Sequence, residues 1–388
     1  MAQRTIKRYV HQTGAKKRMP VSGTFELTPR CNLNCAMCYI HMTGAEQASL
    51  GRELTTEEWL SVGRQAVDAG MIYLLLTGGE PMLRPDFTTI YSEMVKMGVV
   101  VTVNTNATLV TPEIVDCFKK HPPETVNVTL YGASPETYSG LCGVRDGYEK
   151  AYRGVRMLVE AGVRVIINTT FTSRNQQDME ALIRFAEEIG SPIRTAAYTF
   201  PPVRNGHEVS SVCLTSEEQG RLNARFEYLT SSAEQRATNA TFLRRYLETE
   251  ESRPKLPLPE KGMPSGCLAG RGLFWMSWNG VMHPCGMLSD YGVKPQGDGI
   301  DFAAMWAETV RRTEEIYLPP ACSECALRKV CPSCAAVTVS NHGDSAKLVE
   351  GMCTYTKTYI RAFLELCETS DAAPAAVRDG DVDPFVCL

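Results

Sequence analysis

Three cysteines in the run Cys31-Asn32-Leu33-Asn34-Cys35-Ala36-Met37-Cys38 constrain this chain more than anything else in its 388 residues. The spacing C-x3-C-x2-C offers three thiolates from one short loop. A 4Fe-4S cube has four irons, so such a loop leaves one iron without a protein ligand and open to chemistry. An electron-transfer cluster normally takes four cysteines, and tetrahedral zinc usually takes four ligands supplied as spaced pairs. Three unrelated thiols on a turn are the bland alternative, and so tight a run argues against it.

The flanking residues sharpen this reading. Gly23-Thr24-Phe25-Glu26-Leu27-Thr28 alternates as a strand does, and Pro29 and Arg30 follow, so the cysteines lie just past a strand end. Tyr39 stands directly after them. In these residues the chain resembles the radical S-adenosylmethionine (SAM) superfamily, whose motif is C-x3-C-x-aromatic-C or a close variant. Here Met37 takes the aromatic position and Tyr39 comes one place after Cys38. The resemblance implies that SAM binds the open iron through its amino and carboxylate groups, with Tyr39 nearby. An electron from the cluster would cleave SAM to methionine and a 5′-deoxyadenosyl radical, and a flavodoxin or ferredoxin would supply that electron.

Tyr73-Leu74-Leu75-Leu76-Thr77 is an apolar strand run that breaks into Gly78-Gly79-Glu80-Pro81. Two glycines let the backbone approach a ligand closely, and a carboxylate there suits an ammonium group. The resemblance assigns the SAM amine to Glu80. Alone, such a turn is an ordinary strand-to-helix connection; placed after the cysteine run it is specific.

Composition sets the frame. The length favours two or three domains, and 44% hydrophobic residues permit a sizeable core. A net charge of −4 makes no case for nucleic acid. The N-terminus is polar and basic, unlike a signal peptide, and no apolar run approaches the roughly eighteen residues of a membrane span. Fifteen cysteines, an odd number with no export signal, read as metal ligands in a reducing, cytoplasmic setting rather than a disulfide framework.

β-branched or aromatic runs at residues 99–104, 126–131, 163–170 and 193–199 alternate with helical stripes such as Tyr148, Ala151, Tyr152, Val155, Leu158 and Val159, or Met179, Leu182, Ile183 and Ala186. Gly70, Gly98, Gly162 and Gly190 fall where helices should end. Six strand-helix units over residues 24–200 indicate a parallel α/β fold, which the resemblance narrows to a partial (β/α)6 TIM-type barrel. Functional groups belong at the C-terminal strand ends. Asn104 and Asn106 at the end of the third strand, and Thr129 and Tyr131 at the end of the fourth, are therefore candidate SAM contacts. Tyr131 stands where relatives commonly carry Asp. Arg145 has the planar fork for a carboxylate of SAM or substrate. Cys142 would lie on the rim, as a hydrogen donor or simply as a small buried hydrophobe.

Residues 1–23 form a basic arm, and 201–262 read as a polar, Arg-rich bridge ended by prolines, its charges a solvated face. Over 263–366 the cysteines return: Cys267, then Gly280-x4-Cys285, then Cys322-x2-Cys325-x5-Cys331-x2-Cys334 and Cys353. This resembles the SPASM extension of radical SAM enzymes, which houses two auxiliary 4Fe-4S clusters, although the family usually has x3 between the last pair. By resemblance Cys322, Cys325, Cys331 and Cys353 complete the distal cluster. Cys267, Cys285 and Cys334 remain for the nearer one, leaving an iron that a substrate thiolate could bind. A pair of zinc knuckles is the competing reading, which leaves Cys285 and Cys353 unexplained. Cys117 and Cys367 sit in apolar helical patterns, Cys213 lies in the bridge, and Cys387 ends an acidic tail over 367–388 that reads as disordered.

The resemblance ranks the substrates. A ribosomal peptide or protein comes first, receiving a thioether or C–C crosslink, epimerisation or oxidation. A separate leader-recognition protein is a candidate partner, since some twenty residues before the barrel are too few for a recognition domain. The alternative is a cofactor precursor, a tetrapyrrole or a quinone-forming peptide. An iron-sulfur or zinc structural protein is the non-enzymatic reading.

Overall fold

A computed structural model describes residues 2–202, 210–254, 257–297 and 299–369. Among them eight strands form one sheet in the order β6-β5-β4-β3-β2-β1-β7-β8. They are β1 (Ser22–Glu26), β2 (Tyr73–Thr77), β3 (Val100–Thr105), β4 (Thr125–Thr129), β5 (Val165–Thr169), β6 (Ile193–Thr195), β7 (Leu273–Met276) and β8 (Met282–His283). All neighbours run parallel except β7 and β8. The end strands β6 and β8 do not pair, so the barrel is partial.

Helix α1 (Ala2–Lys17) precedes β1, and α2 (Gly44–Leu50) and α3 (Thr56–Asp68) lie between β1 and β2. The next crossovers carry α4 (Phe87–Lys96), α5 (Pro112–Lys120), the pair α6 (Pro135–Cys142) and α7 (Gly147–Glu160), and α8 (Met179–Glu188). Phe25, Leu74, Leu76, Val101, Val103, Val126, Val128 and Ile167 form the outer face of the sheet. They share one core with the α7 and α8 stripes anticipated from spacing. Gly70, Gly98, Gly162 and Gly190 all adopt positive φ at helix ends, the geometry glycine tolerates best. The sixth strand is shorter than its β-branched run suggests, only Ile193–Thr195, because it has a partner on one side alone.

Two features lie outside the six-unit pattern. The basic N-terminal stretch is helical, and α1 crosses the N-terminal strand ends: Lys7 pairs with Glu124 at 3.0 Å and His11 stacks on Tyr73 with centroids 5.1 Å apart. Strand β7, from the cysteine-rich third, joins the barrel beside β1 and pairs Phe25 with Met276.

The remaining helices are α9 (Ser216–Thr230), α10 (Ala233–Ser252), α11 (Phe302–Glu314), α12 (Pro320–Ser323), α13 (Ala335–His342) and α14 (Glu350–Thr369). The bridge is more than a solvated linker. Capping boxes at Thr215/Glu218 and Ser232/Gln235 start α9 and α10, which pack Ala224, Leu243 and Leu247 into a second core with Tyr359, Ile360 and Phe363 of α14. Asn223 donates to the Tyr355 hydroxyl at 2.9 Å within it. Helix α14 carries Cys367 to the edge of this core; residues 370–388, with Cys387, lie outside the described residues. No described helix is long and apolar enough to cross a membrane.

Candidate active site

The loop of residues 31–38 leaves the C-terminal end of β1, the end at which barrels carry their functional groups. Its three thiols come together with Glu80. The Cys31 sulfur, although the residue is exposed, is crowded by protein that pushes its thiol up to about 12, with Glu80, Cys35 and Cys38 as further negative neighbours. Coordination to iron would remove that proton outright.

Backbone bonds shape the loop from below. Asn34 N–H donates to Cys142 O at 2.8 Å and Ala36 N–H to Leu141 O at 2.9 Å. From the side, the Asn106 amide donates to Asn32 Oδ1 at 3.0 Å and to Cys31 Sγ at 3.8 Å, while Asn32 donates to Thr108 Oγ1 at 2.8 Å. Asn106, anticipated as a SAM contact, therefore braces the cysteine loop.

The glycines of the second turn bring the chain's own backbone close. Gly79 N–H donates to Thr28 O and Glu80 N–H to Arg30 O, both at 2.8 Å. A Cβ on Gly79 would stand 2.3 Å from Arg30 O, and one on Gly78 would stand 2.6 Å from Thr28 O. The backbone they admit is the chain's own, at the entrance to the cysteine loop. Pro81 is buried and opens a 3-10 turn over Pro81–Leu83.

Glu80 is fully buried. Its Oε1 accepts from Met82 N–H at 3.1 Å and from the Thr105 hydroxyl at 2.8 Å, and Oε2 accepts from Asn106 N–H at 2.7 Å. Burial pushes the carboxyl up to about 7 against the pull of these three bonds. All three donors are neutral, so the carboxylate has the bonds of a fixed site without a counter-charge, and a bound ammonium would supply one.

Arg84, which sequence reasoning missed, is buried beneath this turn. It donates to Leu27 O at 3.1 Å and Leu54 O at 3.0 Å, and pairs with Asp86 at 2.6 Å and Glu53 at 3.3 Å. Glu53 also takes Arg30 at 2.7 Å and the Thr28 hydroxyl at 2.8 Å, so the network fixes the chain just before Cys31.

Register shows what lines the barrel. Glu26 pairs with Thr77, Asn104 with Asn127, Thr129 with Asn168, and Asn168 with Arg194, and paired positions share a face. These residues alternate with the apolar outer face and therefore point inward. Asn127 donates to Asn104 Oδ1 at 2.9 Å and Trp275 Nε1 donates to Glu26 Oε2 at 3.1 Å. Asn104 and Thr129 were anticipated; Glu26, Asn127, Asn168 and Trp275 were not. Their signal was readable, because strands buried on both faces run apolar, and here a polar residue recurs near the end of strand after strand.

Tyr131 stands over the loop, with Cys35, Cys142, Cys38 and Tyr39 as charge neighbours, and burial raises its hydroxyl well above the usual range. Tyr39 lies beside Phe200, centroids 6.4 Å apart. Arg145 is exposed beyond α6. Cys142, anticipated on the rim as a hydrogen donor, is fully buried beneath the loop, its thiol within hydrogen-bond reach of Cys35. It faces that sulfur and not an open cavity.

In the C-terminal third, Cys322 has Cys331, Cys353 and Cys325 as its first charge neighbours, and burial pushes its thiol up to about 11. Cys285, Cys322 and Cys334 border one apolar cluster with Leu288, Ile316 and Leu318, and Cys267 is exposed. The described cysteines are all free of disulfides. Among the described residues no group of three or more His, Cys, Asp or Glu side chains is arranged to hold a single metal ion.

Comparison with known proteins agrees with this geometry. Residues 25–186 match the radical SAM superfamily. The chain is 30% identical to the AdoMet-dependent heme synthase of Methanosarcina barkeri over 332 residues, 82% of this chain and 92% of that protein. It is 25% identical over 281 residues, 69% of each chain, to the Fe-coproporphyrin III synthase of the same organism. The solved structure of native anSMEcpe with bound AdoMet and Kp18Cys peptide superposes with a TM-score of 0.65 over 90% of this chain and 99% of that one; at 14% identity the likeness is one of fold. One loop's spacing can recur by chance, but agreement along nearly the whole of two chains cannot, and by it this chain belongs to the radical SAM superfamily.

Proposed function

We propose that this radical SAM enzyme acts on a tetrapyrrole, heme or an iron porphyrin on the way to it. The observation carrying the reading is the 30% identity over 92% of a heme synthase. It reverses the order in which the sequence alone ranks peptide and tetrapyrrole, since the peptide-bearing anSMEcpe shares the fold at only 14% identity.

In this reading Cys31, Cys35 and Cys38 hold three irons of a 4Fe-4S cluster and Glu80 holds the SAM amine. Tyr39, Gly78, Gly79, Pro81, Asn104, Asn106 and Thr129 surround the cofactor. When bound, the reduced cluster and SAM supply a radical that takes hydrogen from an unactivated C–H bond. The chain's own task is to place that bond. Asn104, Asn127 and Asn168 offer amides along the inner face, and Arg194 adds a fork suited to a substrate carboxylate. Arg145 would serve a carboxylate at the mouth. Cys322, Cys325 and Cys353 each have Cys331 as a charge neighbour, and these four would hold one auxiliary cluster in the manner of a SPASM domain, with Cys267, Cys285 and Cys334 holding a second. A flavodoxin or ferredoxin would deliver the electron.

The test is anaerobic turnover of reconstituted, reduced protein with SAM and either Fe-coproporphyrin III or a cysteine-containing peptide. Loss of the porphyrin's mass in step with 5′-deoxyadenosine release is the expected result. Release of 5′-deoxyadenosine with only the peptide altered, or with neither, rejects the tetrapyrrole.

A further inference from the structure

Helix α6 turns Tyr138 and Cys142, four residues apart and so on one face, toward the underside of the cysteine loop. Both are 0% exposed. The bonds from Asn34 and Ala36 into the Cys142 and Leu141 carbonyls tie the helix end to the loop, so this face cannot drift from it. The Cys142 thiol is within hydrogen-bond reach of the Cys35 sulfur.

The Tyr138 hydroxyl is enclosed by protein and has no hydrogen-bond partner among the described residues. Burial raises its pKa far above the usual range, and its first charge neighbours are the Cys142 and Cys35 sulfurs. The residue is closely packed: a Cβ on Gly132 would stand 2.7 Å from Tyr138 N, and one on Gly147 would stand 2.8 Å from the Tyr138 ring, so neither position has room for a side chain beside it. Buried hydroxyls are almost always hydrogen-bonded, and an exception calls for an acceptor. A neutral thiol at Cys35 is a weak one, whereas an iron-bound thiolate, or a sulfide beside it, is negatively charged and a strong one.

We propose that Tyr138 and Cys142 are positioning residues that donate hydrogen bonds to the Cys35 side of the iron-sulfur cluster and raise its reduction potential. The inference rests on the cluster assignment above. Donors to cluster sulfur stabilise the reduced form, which carries one more negative charge, more than the oxidised form. Because both are sealed from solvent, water cannot replace a donor that is removed.

The test is potentiometric electron paramagnetic resonance on full-length, anaerobically reconstituted protein, with the radical SAM cluster identified by the response of its signal to added SAM. Tyr138→Phe and Cys142→Ala should each retain iron and move that cluster's midpoint to more negative potential, the double variant furthest. A tenfold change in the ratio of reduced to oxidised cluster corresponds to about 59 mV for one electron. Cys142→Ser keeps a donor and should lie closer to wild type than Cys142→Ala. Unchanged midpoints in Tyr138→Phe and Cys142→Ala at full iron occupancy overturn the proposal. If Cys142→Ala loses iron, Tyr138→Phe, which keeps the ring, decides alone. A wild-type protein without a SAM-responsive signal would reject the cluster assignment itself, a separate failure.

Discussion

The backbone N–H of Asn106 meets the Glu80 carboxylate at 2.7 Å, joining the exits of β3 and β2. The Asn106 side chain, turned the other way, holds Asn32 and Cys31. One residue thus fixes the carboxylate and the cysteine loop relative to each other.

Asn106→Ala keeps the backbone bond to Glu80 and deletes the amide. We expect a loss of about 1–2 kcal/mol of stability from its unmade bonds, with faster stripping of iron by a chelator. Chelation kinetics matching wild type would show that the amide does not brace the loop.

Glu80 gives the SAM-free protein a pH signature. Its folded pKa, raised by burial to about 7, exceeds the unfolded value of 4.5, so its contribution is intact below about pH 4.5 and lost as pH rises through about 7. The loss is of the order of 3 kcal/mol at most. Thermal melts of SAM-free wild type should fall relative to Glu80→Gln across that window, and bound SAM should restore them by pairing the charge. Parallel Tm profiles for the two proteins would refute the assignment, as would equal SAM affinity.

Gly79→Ala places a methyl group 2.3 Å from Arg30 O, a backbone atom that cannot swing aside. Overpacking of this kind costs about 1–3 kcal/mol. Displacement of residues 28–30 should lower iron bound at the loop while leaving the C-terminal cysteines loaded. Full loop occupancy by Mössbauer counting would contradict the steric argument.

Cys325→Ala tests the C-terminal shell. We expect the roughly twelve irons of the three proposed cubes to fall to about eight in this variant, while cleavage of SAM at the loop cluster should persist. An unchanged iron count in this variant would remove Cys325 from the ligand set.

Much of this was legible in the sequence because the signals were local. The cysteine spacing, the Gly-Gly-Glu-Pro turn, the helix-ending glycines and the stripes of α7 and α8 each depend on near neighbours. What escaped depends on distant ones. A buried Arg84 reads like a surface arginine until Leu27 and Leu54 offer their carbonyls. The close approach at Gly78 and Gly79 was legible, but not that the backbone approached would be Thr28 and Arg30. Asn127 gains its meaning only when register sets it beside Asn104. The placement of Cys142 turned on how α6 docks beneath the loop, which helical periodicity does not specify.

Strand β1 carries the cysteine loop, yet one of its two partners, β7, is encoded in the last third of the chain. While the protein is being made, β1 therefore remains an open edge beside the cysteine loop until residues 273–276 emerge from the ribosome. Pairing across so long a separation is slow, because the intervening chain must be ordered before the contact can form. The barrel that carries the cysteine loop is completed at this side only by the segment that contributes β7, so a chain cut before residue 273 exposes the edge of β1 that β7 covers in the complete one.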